Sequence, residues 1–141
     1  SCGPKLKTEA DYKKAIQNLE SQHGALNAHG LRRHGAGTTL EQQQYRARTG
    51  NSPDNHYTIV LDRKTLGRSA PSSTRFLSYK DQYDAISQVL KYAGSNKAID
   101  IDMGRIVAEG YQSGGRIYGS TSKIRAYFDA NGKLITIFGI L

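Results

Sequence analysis

The sequence predicts an α+β fold in which N-terminal helices pack on a C-terminal, mainly antiparallel, twisted sheet. Three observations lead there: capped amphipathic segments come early, alternating segments come late, and Asn131-Gly132 separates two of the late segments as the strongest short signal for a hairpin turn.

Thr8 to Gln22 is the first expected helix. Thr8 can cap it, Asp11 stands three residues on, and Tyr12, Ile16 and Leu19 recur at helical spacing on a thin apolar face suited to an edge position. From Ser21 to Gly37 the composition turns to glycine, histidine and arginine, too glycine-rich for a regular helix. A second helix starts at Thr38 or Thr39, with Glu41 and Gln42 placed to complete its cap, and stops at Gly50. Residues 51–73 read as the least structured stretch and the place for flexibility, although Tyr57 to Leu61 fits a short strand. The third helix is the clearest: Ser78 and Asp81 have capping spacing, and Tyr79, Tyr83, Ile86, Leu90 and Ala93 form one apolar face before Gly94.

Lys97 to Met103 alternates strictly, with Ile99, Ile101 and Met103 on one side and Asp100 and Asp102 on the other, as a half-buried strand does. A further strand is expected at Arg105 to Ala108, followed by a loop region from Gly110 to Gly119 and a turn at Ser120-Thr121-Ser122. Lys123 to Asp129 and Lys133 to Leu141 then form the hairpin. If Asn131-Gly132 is a two-residue loop, Ala130 pairs with Lys133, Tyr127 falls opposite Thr136, and Arg125 falls opposite Phe138. Phe128, Ala126 and Ile124 then meet Ile135, Ile137 and Gly139 on the core side. The other face carries a cation, a hydroxyl and two rings, which suits a phosphate and a base as well as it suits solvent.

The chain has 141 residues, enough for one domain and its core. No apolar run approaches the roughly 18 residues of a spanning helix, so stable membrane insertion is not expected. Twenty Lys and Arg against 12 Asp and Glu give a net charge of +8, which favours a polyanionic partner, nucleic acid first. The single cysteine, Cys2, excludes an internal disulfide and cysteine-based zinc spacings. Because the first residue is Ser1, the chain is expected to be a processed fragment or a piece of a larger polypeptide.

His34 is the histidine to single out. Gly35 after it allows a ligand close to the backbone, the second helix begins shortly beyond, and Arg33, Arg46 and Arg48 supply cations for a phosphate. His23, His29 and His34 stand six and five residues apart with no acidic ligand nearby, which is not a metal-binding pattern. Asp100 and Asp102 share a strand face and could hold magnesium, but an exposed polar face is the simpler account.

Four stretches carry a resemblance: RHGAGTTLEQQQYR at 33–46, STRFLSYKDQYDAI at 73–86, IDIDMGRIVAEGYQSGG at 99–115 and IRAYFDANGKLITIFG at 124–139. Their order resembles the ribonuclease A-like C-terminal toxin tips of contact-dependent growth inhibition and related bacterial polymorphic toxins. The resemblance spans residues 23–141 as the catalytic domain, with residues 1–22 as an N-terminal helix and lead-in. It implies a base or acid role for His34, a phosphate-binding cation at Arg46 and a hydroxyl donor at Thr136. Phe138 stands where the family has tyrosine, so Tyr127 on the facing strand is the replacement phenol. The spacing from His34 to Arg46 is one residue longer than in the family, which makes Arg48 a rival; Arg33, Arg125 and Phe138 complete the substrate-binding set.

What this implies is a metal-independent, cofactor-free endoribonuclease acting on tRNA or other structured RNA and leaving a 2′,3′-cyclic phosphate. It also implies delivery from a secreted or cell-surface carrier into the cytoplasm of a target bacterium. The partner expected in the producing cell is a cognate immunity protein, acidic to match the +8 charge, bound to an otherwise monomeric toxin.

A second resemblance points to ADP-ribosyltransferases of the diphtheria-toxin type, on His34-Gly35, Gly50 and Phe76-Leu77-Ser78. It would have His34 hold NAD, Tyr79 and Tyr83 stack on nicotinamide, and Glu109 stabilise an oxocarbenium ion. A third class, a non-catalytic RNA-binding module, would use the same basic surface without His34.

Overall fold

The computed structural model describes residues 6–25, 33–61 and 67–141. Cys2 and His29 lie outside them. The fold is α+β with the helices towards the N-terminus: α1 (Glu9–His23), α2 (Leu40–Thr49) and α3 (Tyr79–Leu90). The strands are β1 (Val60–Leu61), β2 (Arg68–Ser69), β3 (Ser73–Phe76), β4 (Ala98–Asp102), β5 (Ala108–Tyr111), β6 (Tyr118–Thr121), β7 (Lys123–Phe128) and β8 (Leu134–Gly139). They form three antiparallel sheets, in the orders β1-β2, β3-β5-β6 and β4-β7-β8.

Each helix begins where its polar cap can replace a missing backbone partner. Thr8 with Asp11, and Thr39 with Gln42, form full capping boxes, and Ser78 accepts from the Asp81 amide. Gly50 ends α2 in the left-handed region at φ 87°, where a side chain would be strained. α3 stops at Leu90 rather than at Gly94, because Lys91, Tyr92 and Ala93 tighten into bonds to the third residue back. Its inward face is accordingly Gln82, Ala85, Ile86 and Val89, while Ala93 is exposed and Tyr79, Tyr83 and Leu90 are half-buried.

The core joins Ile16 of α1, Ile86 and Val89 of α3, Val107 just before β5, and Phe76, Ile124, Phe128, Leu134 and Ile137 from the strands. α1 packs on α3 through Ile16 and the Tyr12–Tyr83 ring pair, and α2 crosses β3 and β5. β6 and β7 are almost one run, bent at Ser122, so one stretch of chain serves both larger sheets. The sheets also meet at Gly139, whose N–H donates to Thr74 Oγ1 and whose carbonyl accepts from it, both at 3.1 Å.

The hairpin turn corrects the expected loop. Asp129 faces Lys133, its N–H donating to the Lys133 carbonyl, so the loop is Ala130-Asn131-Gly132 with Gly132 at φ 75°. Phe128 then pairs with Leu134, and a bulge restores Tyr127 opposite Thr136 and Arg125 opposite Phe138. Leu134 therefore takes the core position expected for Ile135, which is half-buried. Three strands stand where none was expected: β2, β3, and β6 in place of the end of the glycine loop and the Ser120–Ser122 turn. The strand expected at Arg105–Ala108 begins only at Ala108, and that at Tyr57–Leu61 is reduced to Val60–Leu61 with a single bridge from Tyr57 to Asn51.

Gly110 allows β5 to lie against β3. A Cβ there would stand 2.0 Å from the Ser73 carbonyl oxygen and 2.7 Å from Thr74 Cα, both backbone atoms that cannot turn aside. Gly110→Ala should therefore cost about 3 kcal/mol or more, read as a lowered urea midpoint; an unchanged midpoint would mean that β3 and β5 can separate freely.

Candidate active site

Two consecutive residues of β3 gather the site. The Thr74 carbonyl lies 2.9 Å from Nδ1 of His34, and the Ser73 hydroxyl lies 3.2 Å from Nη1 of Arg46. His34 is helical and leads into a turn at Gly35, while Arg46 projects inward from the last turn of α2. Both are buried, at 4% and 6% exposure. A carbonyl only accepts, so the His34 proton sits on Nδ1 and Nε2 is the basic nitrogen of the neutral ring.

Arg46 is a buried cation with no ion pair among the described residues. Its Nε is buried without a hydrogen-bond partner among the described residues. Burial, reinforced by the neighbouring charge of Arg33, lowers its pKa to about 10, which still leaves it protonated at neutral pH. A cation so placed is suited to an anion. Arg48, two residues on, is exposed and runs along Gly115, so the two arginines do not share a direction.

Arg33 is held differently. Its Nε and Nη2 each donate to Asp54 at 3.2 Å in a fork, and Ser52 also donates to that carboxylate. Burial tends to raise the Asp54 pKa, but the bonds from Arg33 and Ser52 outweigh it and hold it at about 2. Because the folded value is lowered, this contribution to stability is present above the unfolded carboxylate value of about 4 and is lost as the pH falls towards about 2. Asp54→Asn should flatten the pH dependence of urea unfolding across that window. An unchanged slope would show that the fork contributes nothing there.

The hairpin supplies the rest. Thr136 is 7% exposed, and its Oγ1 is buried without a hydrogen-bond partner among the described residues. Phe138, two residues on, sets its ring 5.3 Å from that of His34 and 6.0 Å from that of Tyr127. Tyr127, opposite Thr136 in the ladder, is 39% exposed. An open groove of about 520 Å³ passes Arg125, Tyr127 and Phe138 towards Ser72 and Leu141; His34, Arg46 and Thr136 do not line it. Arg125 has a carboxylate partner: Asp100, opposite it in the ladder, accepts from its Nε at 2.7 Å and Nη2 at 2.9 Å. That fork raises the Arg125 pKa and lowers that of Asp100. Asp102 accepts instead from the Gly104 N–H.

No known family, characterised protein or solved structure matches this chain.

His34, Arg46, Phe138 and Tyr127 are thus linked through β3 and ring contacts, with Thr136 on the same hairpin face. Of the residues of the transferase resemblance, His34 is in this site and the other three are engaged elsewhere. Tyr79 and Tyr83 pack on the core, with Tyr83 against Tyr12 and the Lys13 ammonium 5.7 Å from the Tyr79 ring centre. Glu109 accepts from Arg75 at 2.7 and 3.0 Å and from the Tyr118 hydroxyl at 2.8 Å. Sequence reading missed Ser73, Thr74 and Gln43, the residues that hold the site together. The only signal for Gln43 is its place three residues before Arg46, on the same helix face.

Proposed function

We propose that this chain is an interbacterial toxin domain that cleaves RNA without a metal ion. The observation that carries the reading is the docking on Thr74 and Ser73 of a buried imidazole and a buried guanidinium, the latter without an ion pair among the described residues. A base beside a cation is what RNA transesterification requires. His34 Nε2 takes the 2′-hydroxyl proton, the 2′-oxygen attacks the adjacent phosphorus, and the 5′-oxygen departs, taking up a proton and leaving a 2′,3′-cyclic phosphate. Arg46 offsets charge gathering on the non-bridging oxygens, and Thr136 Oγ1 donates to one of them. Tyr127 supplies the phenol of this face, and Phe138 and Arg125 adjoin the groove for flanking nucleotides. Arg125 does so only by sharing its fork with Asp100.

A basic toxin of this kind is held inactive by an acidic immunity protein in the cell that makes it and reaches a target cytoplasm from a larger carrier. Among the described residues no helix is long and apolar enough to cross a membrane.

The test is incubation of the purified chain with total RNA in EDTA, with and without NAD, followed by a denaturing gel and product mass analysis. Shorter RNAs ending in cyclic phosphate without NAD are expected. RNA or protein made heavier only with NAD would establish the transferase, and retention of RNA without change would establish the binding module.

A further inference from the structure

Gln43 lies on α2 three residues before Arg46 and is fully buried, at 0% exposure. Its Nε2 donates to the Arg33 carbonyl and to Thr38 Oγ1, both at 2.9 Å, and its Oε1 accepts from the Ser73 hydroxyl. Ser73 Oγ in turn accepts from Arg46 Nη1 at 3.2 Å, and Thr38 Oγ1 donates to the Gly35 carbonyl at 2.7 Å. Every direction in this chain is forced. A guanidinium only donates and a carbonyl only accepts, so each hydroxyl between them has one orientation left. Turning the Gln43 amide round would set its oxygen against the Arg33 carbonyl. The bonds therefore run one way, from the Arg46 guanidinium to the two carbonyls that flank His34.

A core position that served packing alone would take an apolar side chain, since a buried amide is costly unless all its bonds are made. Here they are made to segments remote in sequence: the His34 turn on one side and β3 on the other. We propose that Gln43 is a positioning residue that couples Arg46 to the His34 turn, so that base and cation keep one mutual geometry. Its consequence for rate rests on the ribonuclease reading, whereas the coupling rests on the hydrogen-bond chain.

Two variants interrupt the chain at different points. Gln43→Met keeps the volume and removes the amide, while Ser73→Ala removes only the link to Arg46. Both, and the double variant, would be compared with the unaltered protein in single-turnover cleavage of an RNA oligonucleotide at saturating and limiting protein. The His34 ring resonances would be followed by NMR and folding by thermal melts. Gln43→Met should slow cleavage at saturation by about 10- to 100-fold, as a displacement of about 1 Å does, with half-saturation changed by less than about threefold because the charge of Arg46 remains. It should also shift the His34 resonances. Ser73→Ala should slow cleavage by about tenfold, and the double variant should be no slower than Gln43→Met, because both lesions lie in one chain.

Folded Gln43→Met protein with unaltered cleavage and unmoved His34 resonances overturns the proposal, and so do losses that multiply in the double variant. If Gln43→Met does not fold, Ser73→Ala decides, and unaltered cleavage with unmoved resonances overturns the coupling. If the unaltered protein does not cleave RNA, the ribonuclease reading falls, and the His34 resonances in the two variants still decide the coupling.

Discussion

His34→Ala should lower RNA cleavage by about 10² to 10⁴, the range that general acid-base groups supply, while the protein stays folded. His34 is buried, and its Nδ1 bond to the Thr74 carbonyl leaves Nε2 as the basic nitrogen. Removing the imidazole removes the base but spares the guanidinium of Arg46, the hydroxyl of Thr136 and the aromatic face of Phe138 and Tyr127. RNA affinity should therefore fall far less than rate. His34→Gln sharpens the comparison: it can still donate to Thr74 but has no basic nitrogen, and it should be as slow as alanine with a melting temperature nearer the unaltered protein. Cleavage at the original rate by either folded variant would remove His34 from the chemistry. A melt so low that the alanine variant is unfolded would make the Thr74 bond chiefly a fold contact, and the glutamine variant would then decide the chemical role.

How much of this was readable from the chain depends on how local the determining interactions are. Thr8, Thr39 and Ser78 could be recognised as caps because each is satisfied within the next three residues. The pairs Tyr127–Thr136 and Arg125–Phe138 were legible for a less direct reason. The loop has one residue more than Asn131-Gly132, and the bulge beside Phe128 compensates for it, so the register beyond the bulge is unchanged. β3 and β6 were not legible, because Ser73–Phe76 and Tyr118–Thr121 are short and become strands only by pairing with β5 on either side. The site divides in the same way. His34, Arg46 and Thr136 stand out by residue type and by the order of motifs around them. Gln43 looks like its neighbours Gln42 and Gln44, and only the fold shows that one of the three is enclosed and bonded to two distant segments.

Arg46→Met should lower cleavage by about 10² to 10³, the loss usual for one group that stabilises developing negative charge, while leaving the protein at least as stable as before. The two effects have one cause. Among the described residues buried Arg46 has no ion pair and its Nε no hydrogen bond, and the nearby charge of Arg33 opposes it. Such a charge is a burden on the folded chain until an anion arrives. Methionine fills similar space without the desolvation cost; replacing even a whole buried ion pair by apolar residues is often neutral or stabilising by about 1–4 kcal/mol, and here no partner charge among the described residues offsets that cost. The lost bond from Nη1 to Ser73 offsets about 1 kcal/mol of that gain, and Ser73 keeps its bond to Gln43. Urea unfolding without phosphate should therefore show an equal or higher midpoint for Arg46→Met. Added inorganic phosphate should stabilise the unaltered protein and leave the variant unmoved, since a ligand stabilises only the state that binds it. A variant that cleaves RNA as well as the original would take Arg46 out of the anion site. A variant that is markedly less stable in the absence of phosphate would make the guanidinium a structural bridge between α2 and β3.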